Sequence, residues 1–446
     1  MSDVAHAEKS KPVGVALLGC GHVGSGVLKV LAENGGLIAR RTGVSFEVRH
    51  VVVRDPGKGR DLPGGTVAVH SDVAAAIADP AVGVVVELIG GTTTAGTAVE
   101  SALRAGKSVV TANKALLSAR GPELFALARS KGVGIGFEAS CAGGIPVMAA
   151  LTYGLVGNRI DAVVGIVNGT CNFILTQMTR EGQSYGDALA GAQKLGFAEA
   201  DPTMDVSGRD AAQKLALLAS LAFDTRVSEE QINVEGIGEL SPSDICFAGE
   251  LGYVIKLLAI GQRASGSLSL RVAPTLVPKS DVLADVSGSF NAVSLYGSAV
   301  GHCLFYGRGA GSLPTASAVV SDLVQVALGT TALAQRSMAV LASEPSTPLL
   351  PFDRLMARYY LRLSAKDEPG VLAAITRVLG DERISVASFL QHESADKSAV
   401  PLVITTHHAR EGAVRRALQA IEKLPQITGK IACLRLLDTP TEFDAA

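Results

Sequence analysis

Residues 196–217 read Gly-Phe-Ala-Glu-Ala-Asp-Pro-Thr-Met-Asp-Val-Ser-Gly-Arg-Asp-Ala-Ala-Gln-Lys-Leu-Ala-Leu. They gather Glu199, Asp201, Asp205, Asp210 and Lys214 into one loop and the start of one helix. Pro202 and Gly208 bend the loop, and a helical pattern begins at Arg209 with Leu215, Leu217 and Leu218 as core positions. Asp210 and Lys214 are four residues apart and so share a helix face. Carboxylates placed this way suit a substrate ammonium, and a lysine amine can exchange the proton of a hydroxyl. The same spacing also describes a surface loop followed by an ordinary i,i+4 ion pair.

A second chemical signature lies near the start. Val13–Leu18 is a short apolar strand that runs into Gly19-Cys-Gly21-His-Val-Gly24, and Ser25 to Leu31 read as a helix. A G-x-G-x-x-G between strand and helix permits a tight turn and close approach of a pyrophosphate to the helix N-terminus. A glycine-rich turn serving only helix–strand packing is the plainer alternative. His22 and Val23 then lie beside the cofactor, and Cys20 is a small filler. The next strand, Phe46 to Val53, ends at Arg54-Asp55. An arginine there suits the 2′-phosphate of NADP, and an acid suits the ribose of NAD. NADP(H) is the preferred expectation and NAD(H) the alternative, with Glu33 to Thr42 lengthening the connection between the two strands. Val82 to Ile89 ends at a Gly/Thr loop containing Thr92, where ligands bind in open α/β sheets. Ser108 to Thr111 leads to Lys114, whose ammonium could hold a carboxylate or polarise a carbonyl. Gly134 to Phe137 is a further strand.

The chain has 446 residues, enough for two to four domains. Aromatic residues are few, Trp is absent, and the formal net charge is -2. That balance offers no basic block for nucleic acid. No uninterrupted apolar run reaches membrane-spanning length. Residues 1–11 lack the apolar core of a signal peptide, so a cytoplasmic location is expected. Six scattered cysteines without C-x-x-C read as incidental thiols.

Several motifs together resemble the homoserine dehydrogenase family: Gly19-x-Gly21-x-x-Gly24, Thr111-Ala-Asn113-Lys114, Glu138…Gly143-Gly144-Ile145-Pro146, Asn168-Gly-Thr-x-Asn172, the 196–217 stretch and Gly309-Ala-Gly311-x-x-Pro314-Thr315-Ala316. Their order holds over about 340 residues. The resemblance implies NAD(P)H-dependent reduction of L-aspartate 4-semialdehyde to L-homoserine, on the route to threonine, methionine and isoleucine. It implies acid/base chemistry at Lys214, with Lys114 as a second active-site lysine. Glu199, Asp205 and Asp210 would bind substrate or order the site, with Gly196 beside the nicotinamide and Gly309 at the cofactor. It also implies a sodium site formed by Glu138 and the backbone carbonyls of Cys141, Gly143 and Ile145. From spacing alone, 138–146 is only a glycine-rich turn.

Asn168 and Thr170 either shape a pocket or cap a helix. Tyr185 to Leu195 read as a helix, and Arg271 to Leu276 and Ala292 to Tyr296 as strands. The helix entered through Gly309–Asp322 is expected to continue to about Ala334. Residues 342–353 carry Pro345, Pro348 and Pro351 and read as a linker. Beyond it a βαββαβ order resembles an ACT domain, which implies an amino-acid effector, L-threonine, near Asp367 to Val371 and Ile384 to Ser388. A dimerisation module without a ligand is the alternative. His392, His407 and His408 read as surface residues.

The expected fold is α/β. A Rossmann-type nucleotide-binding domain spans 12–140 plus about 305–340, a mixed α+β catalytic and dimerisation domain 141–304, and an ACT-like regulatory domain 355–440. The chain is expected to form a homodimer or homotetramer and to lack an aspartate-kinase portion. Other readings are a different NADP-dependent dehydrogenase of amino-acid aldehydes or alcohols, and a non-catalytic amino-acid sensor.

Overall fold

The computed structural model describes residues 11–58, 67–264, 266–337, 347–393 and 399–438. Within them the chain packs as two compact units. One comprises residues up to 160, 213–229 and 304–346, and the other 161–212, 230–303 and 347 onward. This partition differs from the three-way division expected from the sequence. Residues 141–160 and 213–229 pack with the nucleotide unit, and the C-terminal module packs with 161–212 and 230–303. The start of the chain and 342–346 of the expected linker lie outside the described residues.

The first unit holds a six-stranded sheet in the order Ala68–His70, Phe46–Val52, Val13–Leu18, Val82–Glu87, Ser108–Thr111, Ile135–Gly136. Every neighbouring pair is parallel. Parallel strands need crossovers, which cover both faces, so the strands are apolar nearly throughout. Val15, Leu17, Val51, Val84, Val86 and Val110 form the core, with Val27 and Leu28 from one helix and Val319 and Leu323 from another. The strand order reverses between Val13–Leu18 and Val82–Glu87, where a doubly wound sheet opens its binding crevice.

Three readings of this unit need correction. The first helix does not stop near Leu31 but runs His22–Thr42. Ile38 packs on the core beyond Gly35 and Gly36, and Gly43, at φ 73°, closes the helix. Packing thus outweighs the poor helix propensity of two glycines. Lys114 is not simply at a strand end; it opens a helix, Lys114–Lys131, whose N-cap is Asn113. The helix expected to continue to Ala334 breaks after Ala327, at Gly329 with φ 76°, and a second one runs Thr330–Ser337.

The second unit contains one extended mixed sheet. From Phe290–Gly297 it passes through Ile160–Ile166, Tyr253–Ala264, Ser267–Pro278, Ala432–Leu436, Tyr359–Ala365 and Val400–Thr406 to Val386–Gln391. The C-terminal βαββαβ module is therefore fused into the sheet. Its last strand pairs parallel to Ser267–Pro278 through Thr275–Arg435 and Leu276–Leu436. The described part of the linker is also fastened, since Leu268 donates to Pro348 and accepts from Leu350 across this strand (2.9 and 2.8 Å). One face of the module's sheet is covered by its helices Val371–Asp381 and Glu411–Ile421, which bury Leu361, Leu363, Ile375 and Val414. His392, His407 and His408 are exposed, with His392 against Glu250 and His408 against Asp438.

Alternation sends Tyr360 and Arg362 to the opposite face. There Asp244, on helix Pro242–Glu250, accepts Arg362 in a bidentate pair (2.6 and 3.0 Å) and the Tyr360 hydroxyl (3.2 Å). Burial opposes the charged Asp244, but Arg362 and the Ser241 amide outweigh it and hold the carboxyl below its usual range. A folded-state pKa below the unfolded one gives stability that is present above the ordinary aspartate range and lost as pH falls through the folded value. Asp244→Ala strands the Arg362 charge and should cost about 3 kcal/mol at neutral pH. Thermal unfolding from pH 7 to pH 3 checks this. The melting deficit should be largest at pH 7 and shrink on acidification, and an unchanged melting temperature at pH 7 would refute it.

Candidate active site

The first unit carries the glycine cradle. Gly19 sits at φ 99°, and a Cβ there would lie 2.6 Å from the Leu88 carbonyl. A Cβ on Gly24 would lie 2.3 Å from the Gly19 carbonyl, so this glycine sets helix–strand contact. Gly21 is different: a Cβ there meets no atom within 4 Å. It is the N-cap of His22–Thr42 without a side-chain cap, which leaves the approach to the first helical amides open. His22 is exposed at the helix start and Val23 packs on the core. Arg54 and Asp55 are both exposed just beyond Phe46–Val52.

Sequence reasoning passed over the device that shapes the crevice loops. Glu87 is fully buried at the end of its strand. Its carboxylate accepts the amides of Ile89 and Gly90 (2.8 and 2.9 Å) and the Thr111 hydroxyl (2.7 Å). Asn113 donates to the Gly91 carbonyl (2.7 Å) and caps the helix that begins with Lys114. These contacts tie the Gly90–Thr92 loop to the Lys114 turn. A buried acid at the end of an apolar strand was the signal that could have revealed it. Gly309 belongs here as well, because its carbonyl would be 2.3 Å from a Cβ on Gly143. The Ser312 hydroxyl donates to the His22 carbonyl (2.5 Å), so the second Gly-rich loop is laced to the first.

The 138–146 segment is a single 3-10 turn, Glu138–Ser140, followed by Ala142 at φ 55° and Gly143 at φ 54°. The Glu138 carboxylate accepts the Met148 and Ala149 amides (2.9 and 2.7 Å), and the Glu138 amide donates to Asp322 (2.8 Å). Burial raises the Glu138 carboxyl to about 7 against the pull of those amides. Burial and the neighbouring Glu138 raise Asp322 well above the carboxylate range. The Cys141 thiol lies 3.9 Å from the Lys214 carbonyl, which places this turn against the helix Arg209–Phe223. Among the described residues no group of three His, Cys, Asp or Glu side chains could hold a metal ion.

The second unit carries the acids. Asn168 donates both hydrogens of one amide nitrogen, to Asp205 (2.7 Å) and to Asp210 (2.8 Å). Its oxygen caps helix Gly169–Glu181 by accepting the Cys171 amide (2.8 Å). Asn168 thus caps the helix and bridges two acids at once. Asp210 is buried in the first turn of Arg209–Phe223, where a carboxylate is favoured by the helix dipole. Leu215, Leu217 and Leu218 are buried as expected. Lys214 lies one turn beyond Asp210 on this helix and is half-buried.

Not every expected acid joins this pair. Asp201 is occupied locally, accepting the Thr203 amide and hydroxyl (3.1 and 2.6 Å). Glu199 is exposed, and its carbonyl, rather than its carboxylate, accepts Gln193 (3.2 Å). Gly196, at φ 75°, ends the helix Tyr185–Lys194 and is exposed. Thr170 donates to the Phe197 carbonyl (2.7 Å), and Asn172 anchors Val286 and Phe290 carbonyls (3.2 and 3.1 Å).

The fold and the cradle define a nicotinamide-dependent oxidoreductase of the Rossmann type. Residues 19–138 match the model of the NAD-binding domain of homoserine dehydrogenase, 146–324 that of homoserine dehydrogenase, and 359–426 that of the ACT domain. Homoserine dehydrogenase of Pseudomonas aeruginosa is 44% identical over 431 residues, covering 96% of this chain and 99% of that one. The crystal structure of a homoserine dehydrogenase from Thiobacillus denitrificans matches with a TM-score of 0.90 at 45% identity, over 96% of this chain and 99% of that one. That of S. aureus at pH 7.5 matches at 0.74 and 31%, over 96% and 100%. The chain belongs to the homoserine dehydrogenase family. Its activity is the nicotinamide-dependent interconversion of L-aspartate 4-semialdehyde and L-homoserine.

Asn168 bridges two carboxylates that would otherwise repel each other. Asn168→Ala should raise the KM for the amino-acid substrate at least tenfold and leave cofactor affinity within twofold. Steady-state kinetics together with a cofactor fluorescence titration check this, and an unchanged substrate KM would refute it.

Proposed function

We propose that Lys214 is the acid/base of the reaction, with Lys114 as second active-site lysine, and that Asp205, Asp210 and Glu199 bind or order the amino-acid substrate. The observation that best supports this is the Asn168-linked acid pair at the start of the helix that carries Lys214 one turn later. Bound NADPH supplies the hydride. As charge develops on the aldehyde oxygen, the Lys214 ammonium stabilises it and delivers a proton. Carboxylates hold the substrate ammonium, which fixes the carbonyl carbon for attack. Gly309 would add main-chain contact to the cofactor, and Gly196 would belong with the substrate-binding residues.

Gly19, Gly21, His22, Val23 and Gly24 would hold the cofactor, and Thr92 and Lys114 would line its crevice. Arg54, exposed at the end of the second strand, favours the 2′-phosphate of NADPH. Asp55 beside it keeps NADH as the weaker cofactor. A sodium ion fits the main-chain carbonyls of Cys141, Gly143 and Ile145, because oxygen donors suit a hard cation. Two successive left-handed residues, Ala142 and Gly143, turn this segment tightly. The Glu138 carboxylate is engaged by helix amides, so its part is to hold the turn rather than to face the ion. Ile145 already accepts the Val147 amide (2.8 Å) and would offer its second lone pair. The ACT module supports an amino-acid effector, L-threonine in this reading, and the enzyme works in the cytoplasm as a homodimer or homotetramer.

Lys214→Ala should lower kcat at least a hundredfold while cofactor binding stays within twofold, and wild-type homoserine oxidation should rise toward alkaline pH, where a neutral lysine can take the hydroxyl proton. Retained turnover in the variant would sink the assignment. Arg54→Ala should raise the KM for NADPH tenfold or more and leave that for NADH nearly unchanged. Equal effects on both cofactors would remove Arg54 from phosphate recognition.

A further inference from the structure

Helix Gly169–Glu181, strand Tyr253–Ala264 and the 279–287 segment border a cavity of about 270 Å³ in the second unit. None of the residues proposed above for substrate or cofactor lines it. Lys256 does, and it is only 3% exposed, between the buried Ile255, Leu257 and Leu258. Arg180 and Lys279 line the same cavity from exposed positions. Thr176, Thr179 and Ser287 add hydroxyls.

The positive charge here is not neutralised. Among the described residues, every hydrogen bond of these three cations goes to a neutral oxygen. Lys256 donates to the Val286 carbonyl (2.5 Å) and the Asn172 amide oxygen (3.3 Å), Arg180 to the Ser287 hydroxyl (2.8 Å), and Lys279 to the Gly249 carbonyl (2.8 Å). Of the lining residues Asp285 alone is negative, so three cations face one carboxylate. The plainer role of Lys256 is to tie the 285–287 turn to the helix. A neutral donor could do that, whereas a buried charge without a counter-charge is costly. Burial, and then the nearby Arg180, push the Lys256 amine down to about 8 against the pull of Asp285. Its two contacts leave one ammonium hydrogen for an occupant of the cavity.

We propose that this cavity binds a dianionic phosphate group, free or as a monoester, between the buried Lys256 and the exposed Arg180 and Lys279. Three cations against one carboxylate leave two positive charges, which a dianion matches and a single carboxylate does not. Arginine and lysine donors with hydroxyls beside them suit phosphate oxygens. An adjoining cavity of about 340 Å³ shares Thr179, Val254 and Lys279 with this one. Met178, Ile245 and Ile255 wall it, so an organic group on the phosphate has an apolar place to lie. The ligand joins the helix, through Arg180, to the strand, through Lys256.

The test is isothermal titration calorimetry of the full-length protein, saturated with NADPH so that the nucleotide crevice is closed to the probes. Inorganic phosphate, phenyl phosphate and benzoate are titrated in turn. Both phosphates should bind, and benzoate at least tenfold more weakly. Tighter binding of phenyl phosphate assigns the site to a monoester, and tighter binding of inorganic phosphate assigns it to the free ion. Lys256→Met removes the buried charge at nearly constant volume. A double variant, Arg180→Ala with Lys279→Ala, changes only exposed positions and so folds even if the first is destabilised. The phosphate Kd should rise tenfold or more in each. It should stay within twofold in Lys430→Ala, which removes a cation 74% exposed and outside the cavity. Wild-type affinity should fall at least fivefold between pH 7.5 and pH 9.5, as Lys256 loses its proton while phosphate stays dianionic; the other charged groups facing it are Arg180, Lys279 and Asp285. Neither phosphate bound by the wild type, benzoate bound as tightly, or a Kd unchanged in the double variant would overturn the proposal.

Discussion

Asn168 divides one amide nitrogen between two carboxylates, and the arrangement of the acids in the second unit depends on it. Asp205 comes from a short helical turn and Asp210 from the first turn of a long helix. Two like charges brought this close would raise one pKa or drive the segments apart. A neutral donor with two hydrogens removes the conflict without adding charge. The oxygen of the same side chain caps its own helix, so the bridge has a fixed orientation. The two carboxylates are therefore already placed, and no further ordering of them is needed.

The nucleotide unit uses other means as well. Its glycine loops present main chain rather than side chain, and glycines occur where backbones must touch. Gly24 meets Gly19, and Gly143 meets Gly309, at separations that no Cβ would tolerate. Loops made of glycine carry little stiffness of their own. Glu87, Thr111 and Asn113 supply it by fixing loop amides and carbonyls with buried side chains. The buried pair Glu138 and Asp322 does the same for the turn that lies against the Lys214 helix. Such polar networks are strong because every member has a partner in a poorly solvated setting.

In the C-terminal module, charge is buried on both faces of one sheet. Arg435 is held by Glu411 (2.7 and 2.8 Å) toward the helices. Arg362 is held by Asp244 on the other face. Buried pairs of this kind contribute more to a unique register than to net stability, since desolvation offsets most of their attraction. Their placement keeps the module's sheet aligned with the strand it extends, Ser267–Pro278. A module joined by hydrogen bonds can pass a small displacement on, where a flexible tether would absorb it.

The sequence determined five of the six strands of the parallel sheet, all but the edge strand Ala68–His70, together with the glycine fingerprint and its helix, the βαββαβ order and the Asp210–Lys214 spacing. Each of these is local: a period of two or 3.6, or a turn that only glycine allows. The motif set even reached Asn168 and Gly309, though not what they do. Tertiary structure decided the rest. It separated Asp205 and Asp210, which share Asn168, from Asp201, which folds back on Thr203, and from Glu199, which stays exposed. It carried the first helix past two glycines because Ile38 had a core to reach. It fused the C-terminal module into a larger sheet, although a run of prolines had read as a linker. These outcomes depend on contacts between residues tens to hundreds of positions apart, where propensity and spacing carry no information and burial decides which polar groups must find each other.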